Sequence, residues 1–498
     1  MASAGNADVA AMKLELRGHD ERYTVEQSML NLFPGELPVY GTVTRGEPCW
    51  AVVELSEADG RATVTVELSR EGVTARRTWS ETLSGTDYQR EGVRRRGIGR
   101  CFYEAAVAVT GARPPWGMLS GVRPDKLVTA ALLSGRSEAD AVRMLQDVYA
   151  VTPERAALAL ETGRIAARTA LQLEKRDIAV YVGIPFCPTR CAYCSFVSQS
   201  VEKSFGLVEP YIEALKRELR EGGALARRLG LRVRAFYMGG GTPTTLSPEQ
   251  LSGVLDAFET AFDTSHCVER TVEAGRPDTI TPGKMSVLRA HGVDRVSVNP
   301  QSMDDRVLRA IGRRHAAADV ARAMELSGGF RHVNMDIIAG LPADTPDGFA
   351  DTLRRCLAFA PDNLTVHTLA LKKGSRVLTE GLSVPDADAV REMLDFAAPT
   401  LRKADYAPYY LYRQKYMSGS FENIGWCRPG AECLYNIVIM SELCTIFSFG
   451  AGGSTKLVDR DTNRIQRIFH PKYPEEYISR TADFAAVAAF YENRGIST

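Results

Sequence analysis

Hydrophobic and polar positions change their period twice along the chain. Over residues 50–55 and 62–68 apolar and polar side chains alternate with a period of two around the turn-forming Ala58, Asp59 and Gly60, which predicts a small hairpin or sheet. From about residue 88 to 172 the text is rich in Ala, Leu and Arg and reads as helix, broken at 114–117. Residues 1–172 are therefore expected to form an α+β module. From Ile178 onward, short apolar runs at 178–184, 233–238, 268–274, 295–298, 333–338 and 364–369 alternate with amphipathic stretches such as 210–220 and 345–355. Six strand–helix alternations predict an α/β fold with a parallel sheet, a partial or full (β/α) barrel over 173–385. After Asp386 come a helix, the tyrosine-rich run 406–416, and strand-like runs at 434–439 and 444–449 closed by Gly450–Gly453. Residues 386–498 are expected to be an α+β domain on the substrate side.

At 498 residues the chain exceeds the size at which one core stops growing, so two or three domains are expected. Its 61 basic and 61 acidic side chains balance and give no global reason for a nucleic-acid or anionic-membrane partner. The first residues lack the charged and apolar regions of a signal peptide, and no run of eighteen apolar residues occurs, so a soluble, cytoplasmic protein without a membrane partner is expected. Ten cysteines scattered over this length do not make a disulfide scaffold. A close trio reads as metal-binding, and the other seven as mostly buried thiols.

The trio is Cys187, Cys191 and Cys194, a CxxxCxxC spacing after the first barrel strand. Three thiolates leave the fourth iron of a [4Fe-4S] cluster open to bind and activate a ligand, and S-adenosylmethionine (SAM) is the expected one. A structural zinc site would need a fourth ligand, and only Cys427 and Cys433 offer themselves. In a parallel barrel the working face lies at the C-terminal strand ends. The cysteines follow the first strand there, Gly239–Thr244 the second, Glu273 the third, Asn299–Gln301 the fourth, and Asp336 and Gly340–Pro342 the fifth. The triple glycine Gly239–Gly241 permits close backbone approach, so that exposed amide and carbonyl groups can meet the methionine ammonium. Glu273, Gln301, Arg313 and Asp336 supply carboxylate, amide and guanidinium partners for a sulfonium ligand's amino-acid and ribose groups. Of seven histidines only His315, beside Arg313 and Arg314, draws interest. The basic run 94–100 motivates RNA as a partner, but its few charges read as a solvated helix start, and nucleic acid is not expected. The 450–456 loop lacks the GK[ST] order of a P-loop.

The 181–194 segment, Met238–Thr244, Gln301 and 334–342 together resemble the radical SAM coproporphyrinogen III dehydrogenase family over about 175–460. The segments 115–124, 408–415 and 423–425 resemble its HemZ-like branch. The resemblance implies that Cys187, Cys191 and Cys194 ligate the cluster and that Gly240, Gly241, Thr242, Glu273, Gln301, Arg313 and Asp336 hold SAM, with Tyr181 and Tyr193 packed nearby. It implies two SAM molecules, with Thr242, Ile338 and Ala370 near the second. The implied reaction is oxidative decarboxylation of coproporphyrinogen III to protoporphyrinogen IX, a tetrapyrrole substrate whose propionates Arg413, Lys415 and Lys456 would hold. A low-potential donor of flavodoxin or ferredoxin type would supply electrons. Phe196 and Gly183 stand where the family's decarboxylases have cysteine and histidine, and in this they resemble the haem-chaperone relatives. The alternative expectation is thus a haem carrier with His315, His367 or Cys427 as axial ligand. Radical tRNA modification rests on the arginine run alone.

Overall fold

A computed structural model describes residues 11–33, 36–44, 46–194, 199–372, 374–414, 421–462, 464–480 and 482–493. Phe196 and Lys415 lie outside the described residues. The chain forms two compact units that interleave along the sequence: 1–124 with 134–160 and 413–421, and 125–133 with 161–412 and 422–498.

In the first unit, strands β1 (Ala11–Arg17), β2 (Leu37–Tyr40), β3 (Cys49–Ala58), β4 (Arg61–Arg70) and β5 (Val73–Thr82) form one sheet in the order β2-β1-β3-β4-β5. The expected hairpin is β3–β4. Asp59 and Gly60 both take positive φ, 50° and 71°, the type I′ geometry whose twist matches the strands. Alternating Val64, Val66 and Leu68 face the core with Met12, Leu14 and Val53. The helix Asp87–Thr110 covers this face. A capping box between Thr86 and Gln89 starts it and Gly111, at φ 70°, ends it. The arginine run lies on this helix, and its charges are answered internally. Arg94 pairs with Glu57, Arg95 with Glu21 and Glu91, Arg96 with Glu81, and Arg100 with Glu104.

The second unit carries an 11-stranded sheet. Its strands are β6 (Asp177–Ile184), β9 (Arg232–Gly240), β10 (Glu269–Val272), β11 (Arg295–Ser297), β12 (His332–Ala339), β13 (Asn363–Thr368), β14 (Ala407–Tyr412), β15 (Asn423–Cys427), β16 (Thr445–Phe449), β17 (Ser454–Asp459) and β18 (Arg464–Phe469), with a two-stranded pair β7 (Phe186–Cys187) and β8 (Gln199–Ser200) beside it. All six expected strands are present, in the parallel order β6-β9-β10-β11-β12-β13. β16 adds a seventh parallel strand on the free side of β6, while β15–β14 and β17–β18 extend the two edges antiparallel. The sheet is thus an open, partial barrel. The linking helices start where the sequence caps them, as with Thr345 before Pro346–Ala358 and Ser247 before Pro248–Ala261.

One element differs from expectation. Residues 434–439 read as a strand, but Leu434–Ser441 is a helix. Glu269 accepts hydrogen bonds from the Leu434 and Tyr435 amides at 2.9 and 3.1 Å, a carboxylate at the positive helix end. Ile437 and Val438 bury in one core with Ala179, Ala235, Tyr409 and Tyr410. The helix touches β9 and β14, which stand six places apart in the sheet, so the sheet curls around it. Burial inside this concave wall overrides the β propensity of the apolar run.

Candidate active site at the C-terminal end of the parallel sheet

The cysteine loop leaves β6 and is tied down along its length. Cys187 lies in β7 against β8, and the Ala192 amide donates to the Ile311 carbonyl at 2.9 Å while its own carbonyl accepts from Val377 at 3.1 Å. Thr189 Oγ1 donates to Gly312 O at 3.1 Å. Cys191 is buried and Cys187 and Cys194 are partly exposed. Thr242 Oγ1 donates to Cys187 Sγ at 3.4 Å.

The glycine segment at the end of β9 continues the pairing to the loop. Gly241 and Thr242 donate their amides to Ile184 O (2.7 Å) and Phe186 O (2.8 Å). Gly240 takes φ 107°, and a Cβ at Gly241 would lie 2.5 Å from Phe186 O, so each needs glycine for its own reason. With those amides engaged, the polar groups this segment offers a ligand are carbonyl oxygens, acceptors suited to an ammonium.

Glu273 follows β10. The Tyr237 hydroxyl donates to it at 2.5 Å. Desolvation raises its pKa to about 7, against the opposing Tyr237 bond, and the nearby Asp336 pushes the same way. Tyr237 stacks on Tyr435 at 4.2 Å between ring centroids, and Tyr181 stacks on both at 6.3 and 6.2 Å. Asp336, in the middle of β12, accepts from Asn334 at 2.9 Å and lies 3.8 Å from His367 Nε2. Burial would raise its pKa, but the neighbouring His367 and the Asn334 and Thr365 donors win and hold it below the usual range. The Tyr412 hydroxyl reaches His367 Nδ1 at 3.3 Å. Gln301 takes φ 67° and bridges to β12: its amide donates to Asp336 O and its carbonyl accepts from Ile338 N, each at 3.0 Å. Arg313 comes from the turn after the helix Asp305–Ala310 rather than from a strand end. It donates to Tyr193 OH at 3.0 Å and to the Asn299 carbonyl at 3.2 Å. Ile338, opposite His367 in the β12–β13 register, packs with Ile311, Leu369 and Tyr193, and Ala370 follows β13.

These residues fit a polar cationic ligand beside a cluster. Gln301 Oε1, Asn299 Oδ1 and Arg313 Nε are buried with no hydrogen-bond partner among the described residues, and a buried unpaired polar atom costs about 1–3 kcal/mol. Three thiolates, backbone carbonyls, a carboxyl and a guanidinium bonded to Tyr193 of the cysteine loop fit the donor set that a three-cysteine cluster and SAM require.

Other sequence-derived candidates lie elsewhere. Cys427 pairs with Asn363, and Cys433 donates to Glu269 at 3.2 Å. Asn363 and Glu269 begin β13 and β10, so both thiols sit at the opposite end of the strands from Cys187 and complete no zinc site with it. Lys456 turns to Ile439 O at 3.5 Å and Glu442 at 3.9 Å. Arg413 is buried in the first unit, where it donates to Leu119 O and, at 3.0 Å, to Asn31 Oδ1, and lies 5.9 Å from the Trp116 ring. Within the first unit Arg413 thus meets the 115–124 motif, its amide also donating to Val122 O at 2.7 Å, so its guanidinium is already engaged. His315 has a wholly buried side chain. Sequence reading missed Tyr237, which precedes the glycines by two residues and so shares a face with Gly239, and it missed Arg276, three residues past Glu273. It also missed the Asp336–His367–Tyr412 chain, which only strand pairing assembles.

The radical SAM superfamily model matches residues 181–356, and fold and site together define a radical SAM protein. The chain is 35% identical over 481 residues to the oxygen-independent coproporphyrinogen-III oxidase-like protein HemZ of Bacillus subtilis, covering 94% of this chain and 95% of that one. It therefore belongs to the HemZ-like family of radical SAM proteins. The heme chaperone HemW of Mycobacterium tuberculosis is 32% identical over 53% of this chain and 65% of its own. Among solved structures, the coproporphyrinogen III oxidase HemN of Escherichia coli matches the fold with TM-score 0.50 at 21% identity, over 64% of this chain and 71% of that one. Membership implies a [4Fe-4S] cluster and SAM. Among the described residues no helix is long and apolar enough to cross a membrane.

Proposed function

We propose that the protein is a cytoplasmic radical SAM oxidoreductase that decarboxylates coproporphyrinogen III oxidatively to protoporphyrinogen IX in anaerobic haem biosynthesis. The observation that carries this reading is the likeness to the HemZ relative along nearly the whole of both chains, N-terminal module included; the likeness to the haem chaperone spans half of this chain. Cys187, Cys191 and Cys194 would hold the cluster. The carbonyls of Gly240 and Gly241, with Glu273, would take the SAM ammonium, and Thr242, Gln301, Arg313 and Asp336 its remaining polar groups, with Tyr181 and Tyr193 as packing walls. Thr242, Ile338 and Ala370 would border a second SAM.

When bound, the cluster and SAM would supply the radical chemistry that removes a hydrogen atom from a propionate side chain; loss of CO2, with one electron passed to an external acceptor, would leave a vinyl group. The protein's own residues bind, orient and exclude water. Glu273 meets a cation as a carboxylate. Arg313 and Gln301 fix the ligand's orientation, and the Tyr181–Tyr237–Tyr435 stack closes the interior. Lys372, half-buried beside Cys194 and with an ammonium that makes no hydrogen bond or ion pair to other described residues, would hold a propionate by a charge-assisted bond. Electrons would come from a flavodoxin- or ferredoxin-type donor. The test is anaerobic incubation of reconstituted protein with dithionite, SAM and coproporphyrinogen III, followed by mass spectrometry. Joint appearance of 5'-deoxyadenosine and vinyl products supports the reading; 5'-deoxyadenosine with intact porphyrinogen removes this substrate.

The HemW relatives favour one rival, a haem carrier. His315 is buried and Cys427 lies at the far strand ends, so His367 is the axial ligand it would need. A haem titration that gives the same Soret shift for wild type and His367→Ala removes that candidate.

A further inference from the structure

Arg276 is 2% exposed and sits just past β10, beneath the cysteine loop. Nε and Nη2 donate to Asp278 Oδ1 and Oδ2, each at 3.1 Å, a side-on pair that fixes the guanidinium plane. Nη1 therefore points away from the carboxylate. It donates to Thr189 O at 3.2 Å and Thr189 Oγ1 at 2.9 Å, and reaches Cys191 Sγ at 3.9 Å. His315 Nδ1 stands 3.9 Å from Asp278 on the other side. Burial and then Arg313 lower its pKa to about 4, so a neutral imidazole does not compete with the guanidinium for Asp278.

We infer that Arg276 is a positioning residue that donates to the Cys191 sulfur of the cluster and thereby sets its reduction potential. Reduction adds one negative charge, spread over irons and sulfurs. A buried donor aimed at a ligating sulfur stabilises the reduced state more than the oxidised one and raises the potential. Asp278 and Thr189 orient the donor, and the Thr189 bond to Gly312 secures the loop that carries Cys191. The inference rests on the radical SAM reading of the cysteine loop and is independent of the substrate.

The experiment is an EPR-monitored redox titration of the reconstituted full chain, without SAM or porphyrinogen, on wild type, Arg276→Lys and Arg276→Gln. Iron and sulfide contents are measured alongside. Arg276→Gln is expected to lower the reduced-to-oxidised ratio at fixed potential about tenfold, which for a one-electron couple is a midpoint lower by about 59 mV. Arg276→Lys should fall between, because an ammonium keeps the charge and loses the side-on brace. A wild-type midpoint in Arg276→Gln at full cluster content overturns the inference. If the Gln variant holds no cluster, a wild-type midpoint in Arg276→Lys overturns it instead. A wild type that assembles no cluster overturns the reading of the loop and this role with it, whereas intact porphyrinogen in the activity assay leaves the midpoint comparison standing.

Discussion

Gly241→Ala gives the sharpest test of how the glycine segment meets the cysteine loop. A Cβ at this position would stand 2.5 Å from Phe186 O and 2.9 Å from both Ile184 O and Phe186 N. Ordinary carbon–oxygen contacts begin near 3.3 Å, so the two backbones must part by about 0.8 Å. No rotamer change can relieve the clash, because every atom met is main chain. The Gly241 and Thr242 bonds to Ile184 and Phe186 stretch with that movement. Overpacking of this kind costs about 1–3 kcal/mol, and the upper end applies here. With an unfolding entropy of about 2.1 cal/mol/K per residue, a unit of roughly 340 residues loses about 1.4 °C per kcal/mol, so the melting temperature should fall by about 4 °C. Activity should fall further, since a displacement near 1 Å in a positioned site costs about 100-fold. Gly183→Ala is the control: its Cβ would meet Ala451 O, Tyr181 Cε1 and Phe449 O at 3.4–3.5 Å, ordinary contact, and should be nearly neutral. Differential scanning fluorimetry and 5'-deoxyadenosine formation read both variants. Wild-type stability and cleavage in Gly241→Ala, or equal damage in Gly183→Ala, would refute the reasoning.

Cys191→Ala should abolish SAM cleavage while the circular dichroism spectrum stays native; retained cleavage refutes the cluster assignment. Glu273 carries a pKa raised from 4.5 to about 7, so the ligand-free fold binds more protons than the unfolded chain between those values and loses up to about 3 kcal/mol of stability as pH rises through them. Glu273→Gln should flatten that slope in chemical denaturation at pH 5 and pH 8, and SAM affinity of the wild type should rise as pH passes 7; a pH-independent affinity sinks the ion-pair role. Arg413→Ala removes a buried guanidinium from Leu119, Asn31 and Trp116 and should destabilise the protein by about 2–4 kcal/mol in urea titration. Arg94, Arg95 and Arg96 changed together to Ala should leave a measured RNA affinity unchanged, because each already faces a carboxylate.

The barrel strands were legible because parallel strands buried on both faces read as short apolar runs, and the cysteine and glycine motifs fell at their ends. Segments whose state is fixed from outside are not legible in the same way. Residues 434–439 have strand composition, but the Glu269 carboxylate caps them as a helix inside the curled sheet. Arg413 and Lys456 look available in sequence because their partners, Asn31 and Glu442, stand 382 and 14 positions away. The seventh parallel strand, β16, was read as part of a separate tail because nothing in 444–449 announces that it pairs with β6, more than 260 residues earlier.

Four residues of the candidate site are each held in a state that is unfavourable without a ligand. Glu273 is desolvated until its carboxyl titrates near neutrality. Gln301 adopts a left-handed backbone, which for a residue with a side chain costs of order 1–3 kcal/mol, and its Oε1 is buried without a partner. Asn299 and Arg313 each keep one buried polar atom unmatched. These four residues lie at the C-terminal end of the parallel strands, the end from which the CxxxCxxC loop also leaves. On the proposed reading, a ligand that brings an ammonium to Glu273 and polar groups to Gln301, Asn299 and Arg313 would offset all of these costs at once, and that gain would orient the reacting group. The same logic separates Arg276 from this set. Every acceptor around it is satisfied before any ligand arrives, which is what a fixed donor to a cluster sulfur requires: it must keep its geometry through both oxidation states.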